Sequence, residues 1–248
     1  MTAETGRTEL VTSEAEDLRE LVARTRYVLF DFDGPICRLF AGHPADVIAR
    51  DQVEWMETRG LGGMLTEEER FSKDPHGTLS SLHARYPGSD VIAGLEENLT
   101  RHELRAARVA MPTAYADPLI QTWVAVGARL AVVTNNSART VTSYLNDRGL
   151  FSCFDPHIYG RTQELRLLKP HPEMLNRALT AMGAAPEASL MIGDALSDHA
   201  AARAAGVRFL GYARNPGAHR RMREGGVPAQ SIMSSLKPLL QALWPGRF

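Results

Sequence analysis

Six side chains in four separate blocks of the sequence are equipped for chemistry. Asp31 and Asp33 stand in Asp31-Phe32-Asp33-Gly34, Thr134 follows an apolar block, Lys169 opens Lys169-Pro170, and Asp194 and Asp198 belong to Gly193-Asp194-Ala195-Leu196-Ser197-Asp198. Carboxylates two residues apart can divide the work of nucleophile and proton carrier. Several together offer the hard oxygen ligands that a divalent cation prefers. Lysines are few (Lys73, Lys169 and Lys237, against many arginines), so chemistry that requires an ammonium has three candidates. Taken singly, each residue also has an ordinary structural reading: acids in a turn satisfy backbone donors, Thr134 caps a strand end, Lys169 is a solvated charge, and acids opening a helix favour its dipole.

The elements that position these residues alternate. Tyr27-Val28-Leu29-Phe30 is a short apolar block ending in the acidic turn, and it reads as a buried strand after a helical stretch over Leu18 to Arg26. Leu130-Ala131-Val132-Val133 repeats the pattern and ends in Thr134-Asn135-Asn136-Ser137, where Asn and Ser suit the cap of a helix running to Gly149. A weaker strand at His157-Ile158-Tyr159 leads through a polar loop to Lys169, and a helix follows over Glu173 to Met182 with Pro172 near its start. Ser189-Leu190-Met191-Ile192 ends at Gly193-Asp194 before an Ala-rich helix that closes at Gly206, and Val207 to Tyr212 forms a fifth strand. Strands alternating with helices predict an α/β fold with a Rossmann-like, doubly wound parallel sheet covered on both faces. Ligands in such sheets bind at the carboxyl ends of the strands, where Asp31, Asp33, Thr134 and Asp194 all fall.

Residues 40–111 differ in character. Helical patterns cover Ala45 to Thr58, Leu79 to Arg85, Asp90 to Leu99 and Arg101 to Val109, broken by Gly60-Leu61-Gly62-Gly63 and Asp74-Pro75-His76-Gly77. This predicts an all-helical cap domain over 40–111, inserted into an α/β core made of 1–39 and 112–248. A helix near Asp117 resumes the core.

Composition narrows the function classes. Of 248 residues, 28 are Lys or Arg and 29 Asp or Glu, a formal charge of -1, which supplies no strong drive toward nucleic acid or an anionic membrane. No apolar run approaches the roughly 20 residues needed to span a bilayer. The first 25 residues carry acids and lack an apolar core, so they do not read as a secretory signal and the expected location is the cytoplasm. Cys37 and Cys153 are too few for a disulfide framework and read as free thiols.

The four blocks, in this order and at these strand ends, resemble the motifs of the haloacid dehalogenase superfamily of phosphohydrolases: DxDG, a hydrophobic strand ending in Thr or Ser, a Lys often followed by Pro, and GDxxxD. The helical insertion between the first and second motifs is similar to the subfamily that includes phosphoglycolate phosphatase and β-phosphoglucomutase. The resemblance implies a magnesium-dependent phosphatase that acts on a small phosphorylated metabolite. Asp31 would be the nucleophile that forms an aspartyl phosphate, and Asp33 the general acid and then base. Asp31, the Asp33 backbone carbonyl and Asp194 would hold Mg2+, with Asp198 ligating directly or through water. Thr134, the amide of Asn135 and Lys169 would bind the phosphoryl oxygens. A phosphomutase would keep every one of these residues, and a non-catalytic ligand-binding module of the same fold is the reading from another class. Asp33 argues against a dehalogenase. A Schiff-base phosphonate hydrolase would have only Lys73 in the cap to use.

Secondary candidates have blander readings. Pro35 follows the first motif where relatives often have Thr or Val, and it removes a backbone donor from that turn. Cys37 reads as a buried thiol, and His43, His76, His83 and His102 as solvated or capping histidines. Arg38, Arg50, Arg59 and Arg85 could meet a second anionic group but read as surface charges, as does the run Arg214, Arg220, Arg221 and Arg223. The sequence does not specify an oligomeric state.

Overall fold

A computed structural model of the chain describes residues 17–244. The amino-terminal sixteen residues of the core assignment, with most of the segment read for a secretory signal, lie outside the described residues. In chain order, α1 (residues 17–24) leads into β1 (Tyr27–Phe30) and a two-residue strand β2 (Cys37–Arg38). Four helices follow: α2 (Ala45–Glu57), α3 (Glu67–Arg70), α4 (Pro75–Arg85) and α5 (Asp90–Ala107). The chain returns through β3 (Met111–Pro112), α6 (Ala116–Ala125), β4 (Arg129–Ser137), α7 (Ala138–Asp147) and β5 (Ile158–Arg161). It ends with α8 (Glu173–Met182), β6 (Ser189–Gly193), α9 (Leu196–Ala204), β7 (Arg208–Tyr212), α10 (Pro216–Glu224), β8 (Ile232–Met233) and α11 (Lys237–Leu243).

Six strands form one sheet in the order β5-β4-β1-β6-β7-β8, and every neighbouring pair is parallel. Period-two alternation within buried strands builds the two cores. Val28, Phe30, Leu130, Val132, Leu190 and Ile192 pack on one face with residues of α6, α7 and α11. Leu29, Ala131, Val133 and Met191 pack on the other with α8 and α9. This is the doubly wound α/β fold expected. The chain lays β4 and β5 on one side of β1 and then crosses to lay β6 to β8 on the other, so the strand order reverses around β1 and opens a crevice at its carboxyl end. Among the described residues no helix is long and apolar enough to cross a membrane.

Several elements depart from the expectation, each for a tertiary reason. Strand β4 runs on to Ser137 rather than stopping at Val133, because its last residue pairs with Arg161 across a register shift. The patterns at Asp90 to Leu99 and Arg101 to Val109 are one helix, α5. Thr100, a weak helix former that suggested a break, is held in place: its hydroxyl donates to Glu96 Oε1 (2.9 Å) and accepts from Arg161 Nη2 (3.0 Å). Helix α4 begins at Pro75 rather than Leu79, with the Asp74 carboxylate accepting the His76 N–H at 3.0 Å. The antiparallel β2–β3 ribbon, which joins the two chain crossings into the helical segment, is too short to leave a pattern in sequence. The same holds for β8.

The inserted helices are fastened to the core by a buried charge cluster. Glu103 of α5 is fully buried. Its Oε1 pairs with Arg161 Nη1 (2.8 Å) and accepts from Asn136 Nδ2 (3.1 Å), with His76 Nε2 at 2.9 Å. Its Oε2 accepts from Arg161 Nη2 (3.2 Å) and from the Ser137 backbone N–H (2.9 Å). Ser137 caps α7 with no side-chain hydrogen bond, so Glu103 supplies the missing acceptor from another helix. Arg161 Nη1 also donates to the Asn135 carbonyl (2.9 Å), and Nε to Glu96 (3.0 Å). Burial would raise the Glu103 carboxyl, but Arg161 and His76 outweigh it and hold Glu103 down at about 2. Gly160 on β5 permits this approach, since a Cβ there would lie 2.5 Å from the Ala138 nitrogen and 2.7 Å from the Asn136 carbonyl oxygen.

Two outcomes test this arrangement. Gly160→Ala should lower unfolding free energy by about 2 kcal/mol, measured by denaturant titration, because backbone must move to admit the methyl; unchanged stability would show that the turn gives way freely. A carboxyl lowered on folding stabilises the fold above its unfolded value and loses that contribution as pH falls toward the folded value. The stability gap between wild type and Glu103→Gln should therefore be widest near neutrality and narrow between the ordinary 4.5 and about 2. A gap independent of pH would rule out an ionised Glu103.

Candidate active site

The four blocks meet at the carboxyl ends of β1, β4 and β6. The turn after β1 is closed by its own backbone: the Phe32 carbonyl accepts from Ile36 N–H (3.3 Å) and Cys37 N–H (3.2 Å), and Gly34 N–H donates to the Cys37 carbonyl (2.7 Å). Pro35, which has no N–H, is not asked for a donor by these bonds. Gly34 has φ +107°, and a Cβ on it would lie 2.4 Å from Asp194 Cγ, so only glycine lets the first and last acidic blocks touch. Asp31 N–H donates to the Ile192 carbonyl at 2.9 Å, which continues the β1–β6 ladder into the site.

Lys169 occupies the centre. It is buried, its Nζ lying 2.9 Å from Asp31 Oδ1 and 2.6 Å from Asp198 Oδ1 and donating to the Val133 carbonyl at 2.8 Å. Burial alone would push its ammonium down, but Asp198 and Asp31 outweigh that and hold it above its ordinary value, so it stays charged. Its backbone is fixed by Asn135, whose Nδ2 donates to the Lys169 carbonyl (3.0 Å) and whose Oδ1 accepts the Lys169 N–H (2.9 Å). Sequence reasoning used only the amide of Asn135 and missed this reciprocal pair. The Thr134 hydroxyl is buried, donates to Asn136 Oδ1 (3.1 Å) and accepts the Asn136 N–H (3.2 Å). Asn136 in turn reaches Glu103, so the turn carrying Thr134 belongs to the buried cluster.

Asp198 is buried and fully engaged. Its Oδ2 accepts the N–H groups of Asp194 and Ala195, both at 3.0 Å, while Oδ1 faces Lys169. Asp33 is half-buried, and its Oδ1 accepts the Leu39 N–H at 2.8 Å. Burial raises the Asp33 carboxyl to about 6 with help from neighbouring Asp31, against the pull of the Leu39 donor. Asp194 is pushed further, to about 8, by burial and then by Asp31, Asp198 and Asp33.

Four carboxylates thus share the site with one ammonium. Asp31, Asp194 and Asp198 each offer an oxygen within 4.8 Å of the others, and the Asp33 carboxylate stands outside that set. The excess of negative charge and the all-oxygen donors fit a small divalent cation. A cavity of about 940 Å³ opens alongside, with Asp33 in its wall.

Other candidates fall away or change role. Cys37 is fully buried and burial pushes its thiol up, which leaves it unreactive. His102 is buried rather than solvated; it stacks on His43 with their ring nitrogens 3.1 Å apart. His76 reaches Glu103 instead of water. Lys73 is exposed between α3 and α4. Gly62–Met64 forms a single 3-10 turn after α2. Arg220, Arg221 and Arg223 are exposed, as expected, but Arg38 and Arg214 line the cavity beside Asp33. Sequence reasoning did not single out Glu103, Asn136 and Arg161, whose buried cluster frames the turn carrying Thr134. Their only signal was a stripe of polar residues, Glu96, Thr100 and Glu103, along one face of α5.

Comparison with known proteins gives concordant matches. The model for the family described as haloacid dehalogenase-like hydrolase matches residues 95–212. A phosphoglycolate phosphatase of Nitrosococcus oceani is 37% identical over 118 residues, 47% of this chain and 52% of that protein. The chain spans about half the length of such curated relatives. Among solved structures, a haloacid dehalogenase family hydrolase from Deinococcus radiodurans with bound phosphate and sodium superposes with a TM-score of 0.58 at 25% identity, covering 89% of this chain and 96% of that one. A CbbY variant from Rhodobacter sphaeroides in complex with xylulose bisphosphate shares the fold, with a TM-score of 0.61 at 20% identity over 85% and 94% of the two chains. The parallel core, the four blocks at its strand ends and these matches agree: residues 95–212 are similar to the haloacid dehalogenase-like hydrolases, and the chain shares the fold of their solved structures.

Proposed function

We propose that this chain is a magnesium-dependent phosphatase that hydrolyses a small phosphorylated metabolite through an aspartyl phosphate on Asp31. The observation that carries the reading is the gathering of Asp31, Asp194 and Asp198 around Lys169 at the strand ends, with Asp33 between that cluster and an open cavity.

Asp31, the Asp33 backbone carbonyl and Asp194 would hold the magnesium ion, with Asp198 as a further ligand directly or through water. Bound there, the ion supplies positive charge to the phosphoryl oxygens. A carboxylate oxygen of Asp31 attacks phosphorus while the bond to the leaving oxygen breaks, and the carboxylic acid of Asp33 donates its proton to that oxygen. The Asp33 carboxylate then takes a proton from the water that attacks phosphorus. The bond to Asp31 breaks, inorganic phosphate leaves, and both side chains return to their starting forms. Lys169, Thr134 and the Asn135 amide orient the phosphoryl oxygens. A proton donor raised to about 6 by burial and by Asp31 suits a group that must give a proton and then take one.

Residues 40–111 act in this reading as a cap that closes over the site, excludes water and selects the leaving group. The near-neutral charge and the lack of a membrane-spanning helix among the described residues support a cytoplasmic enzyme acting on a dissolved metabolite, with neither nucleic acid nor membrane as partner.

Release of inorganic phosphate from a panel of sugar, glycolyl, nucleotide and aryl phosphates tests the proposal. Turnover should require magnesium, stop with chelator, and fall about a thousandfold or more in Asp31→Asn while the circular dichroism spectrum stays unchanged. Wild-type turnover in Asp31→Asn would overturn the nucleophile assignment.

A further inference from the structure

The cavity beside Asp33 has a charge pattern that the phosphoryl chemistry leaves unused. Arg38 and Arg214 both line it, together with Phe40, Thr113 and Tyr212. They come from separate parts of the chain, Arg38 from β2 at the entrance to the inserted helices and Arg214 from the loop after β7, beside the strand that leads to Asp194. Both guanidinium groups bear electrostatically on Tyr212, and Arg214 also on Asp33. Yet neither forms an ion pair with a carboxylate among the described residues, whereas Arg70, Arg85, Arg139, Arg148 and Arg161 all do. Two unpaired cations facing one concave space focus positive potential into it and repel each other until an anion enters.

The position of the cavity says which part of a ligand enters. Its wall contains Asp33, the proton donor to the leaving oxygen, but not Asp31, Thr134, Lys169 or Asp194. The transferring phosphoryl group therefore lies outside it, and the leaving group points in. The volume of about 940 Å³ suits a small metabolite, with two aromatic side chains in the wall to cover carbon.

We propose that the cavity is a subsite for a second anionic group, a carboxylate or a further phosphate, carried on the leaving-group side of the substrate and bound by Arg38 and Arg214. Guanidinium forks suit both anions. The substrate class is then a phosphomonoester with two anionic ends, an inference that rests on the phosphatase reading above.

The test uses binding as well as turnover. Calorimetry on the full chain with magnesium compares ethylphosphonate, which has one anionic end, with phosphonoacetate and ethylenebisphosphonate, which have two. Wild type should bind at least one two-ended probe about tenfold more tightly than ethylphosphonate, and Arg38→Gln and Arg214→Gln should each erase most of that preference. The tighter of the two probes identifies the second group as carboxylate or phosphate. Both arginines are exposed, so the variants should fold, which thermal unfolding checks. Equal affinity for one-ended and two-ended probes in wild type, or a preference that survives in both variants, overturns the subsite. Hydrolysis of one-ended esters with no such preference would remove the subsite and leave the phosphatase. An arginine-dependent preference with no hydrolysis of any ester would remove the phosphatase and leave the subsite.

Discussion

One buried ammonium holds the site in register. Lys169 meets Asp31 from the end of β1 and Asp198 from the start of α9, and its own position is fixed by the carbonyl of Val133 on β4. Two neighbouring strands and the helix that follows a third are joined at the carboxyl edge of the sheet through a single nitrogen. Removing such a charge from water costs several kcal/mol, which only close carboxylates and a fully used set of donors offset. The geometry around Lys169 is correspondingly tight: Gly34 and Gly193 both lack a Cβ where one would strike an Asp194 or Asp198 carboxylate.

The same cluster leaves the site unbalanced in charge. One ammonium cannot neutralise four carboxylates, and Asp194 is raised to about 8 by burial and then by repulsion from Asp31, Asp198 and Asp33. A site built only for folding would bring in a second cation or lose an acid. This one keeps its excess of oxygen ligands at the crevice where a parallel sheet receives its ligand.

A second buried cluster does for the inserted helices what Lys169 does for the strands. Glu103 and Arg161 are both buried, and between them they hold α5, the start of α7 and the end of β5. The turn bearing Thr134 and Asn135 is thus framed on one side by Lys169 and on the other by a helix of the inserted segment. Any displacement of α5 reaches the residues assigned to phosphoryl binding through Asn136 and Ser137. The cavity lies beside Asp33, and Phe40 in its wall packs edge-on against His76 of that second cluster.

The sequence by itself determined the α/β class, the core strands β1, β4, β5, β6 and β7 with the helices that alternate with them as far as α9, and the four blocks of chemistry, because those depend on local signals, whereas β8, α10 and α11 went unread. Apolar runs four or five residues long, Gly34 and Gly193 beside acids, and Pro172 before a helix each act within a few residues of themselves. What only the tertiary structure decided involves partners far apart in the chain. Thr100 looked like a break in a helix until Arg161, sixty-one residues on, accepted a role beside it. Ser137 stands at the N-cap of α7 as its type suggests, but its side chain makes no cap bond and its own N–H goes to Glu103. Arg38 and Arg214 looked like solvated charges and share a cavity wall. A buried ion pair or a cavity is a property of two or more segments brought together, and no single segment's hydrophobic period or turn chemistry encodes which distant charge it will meet.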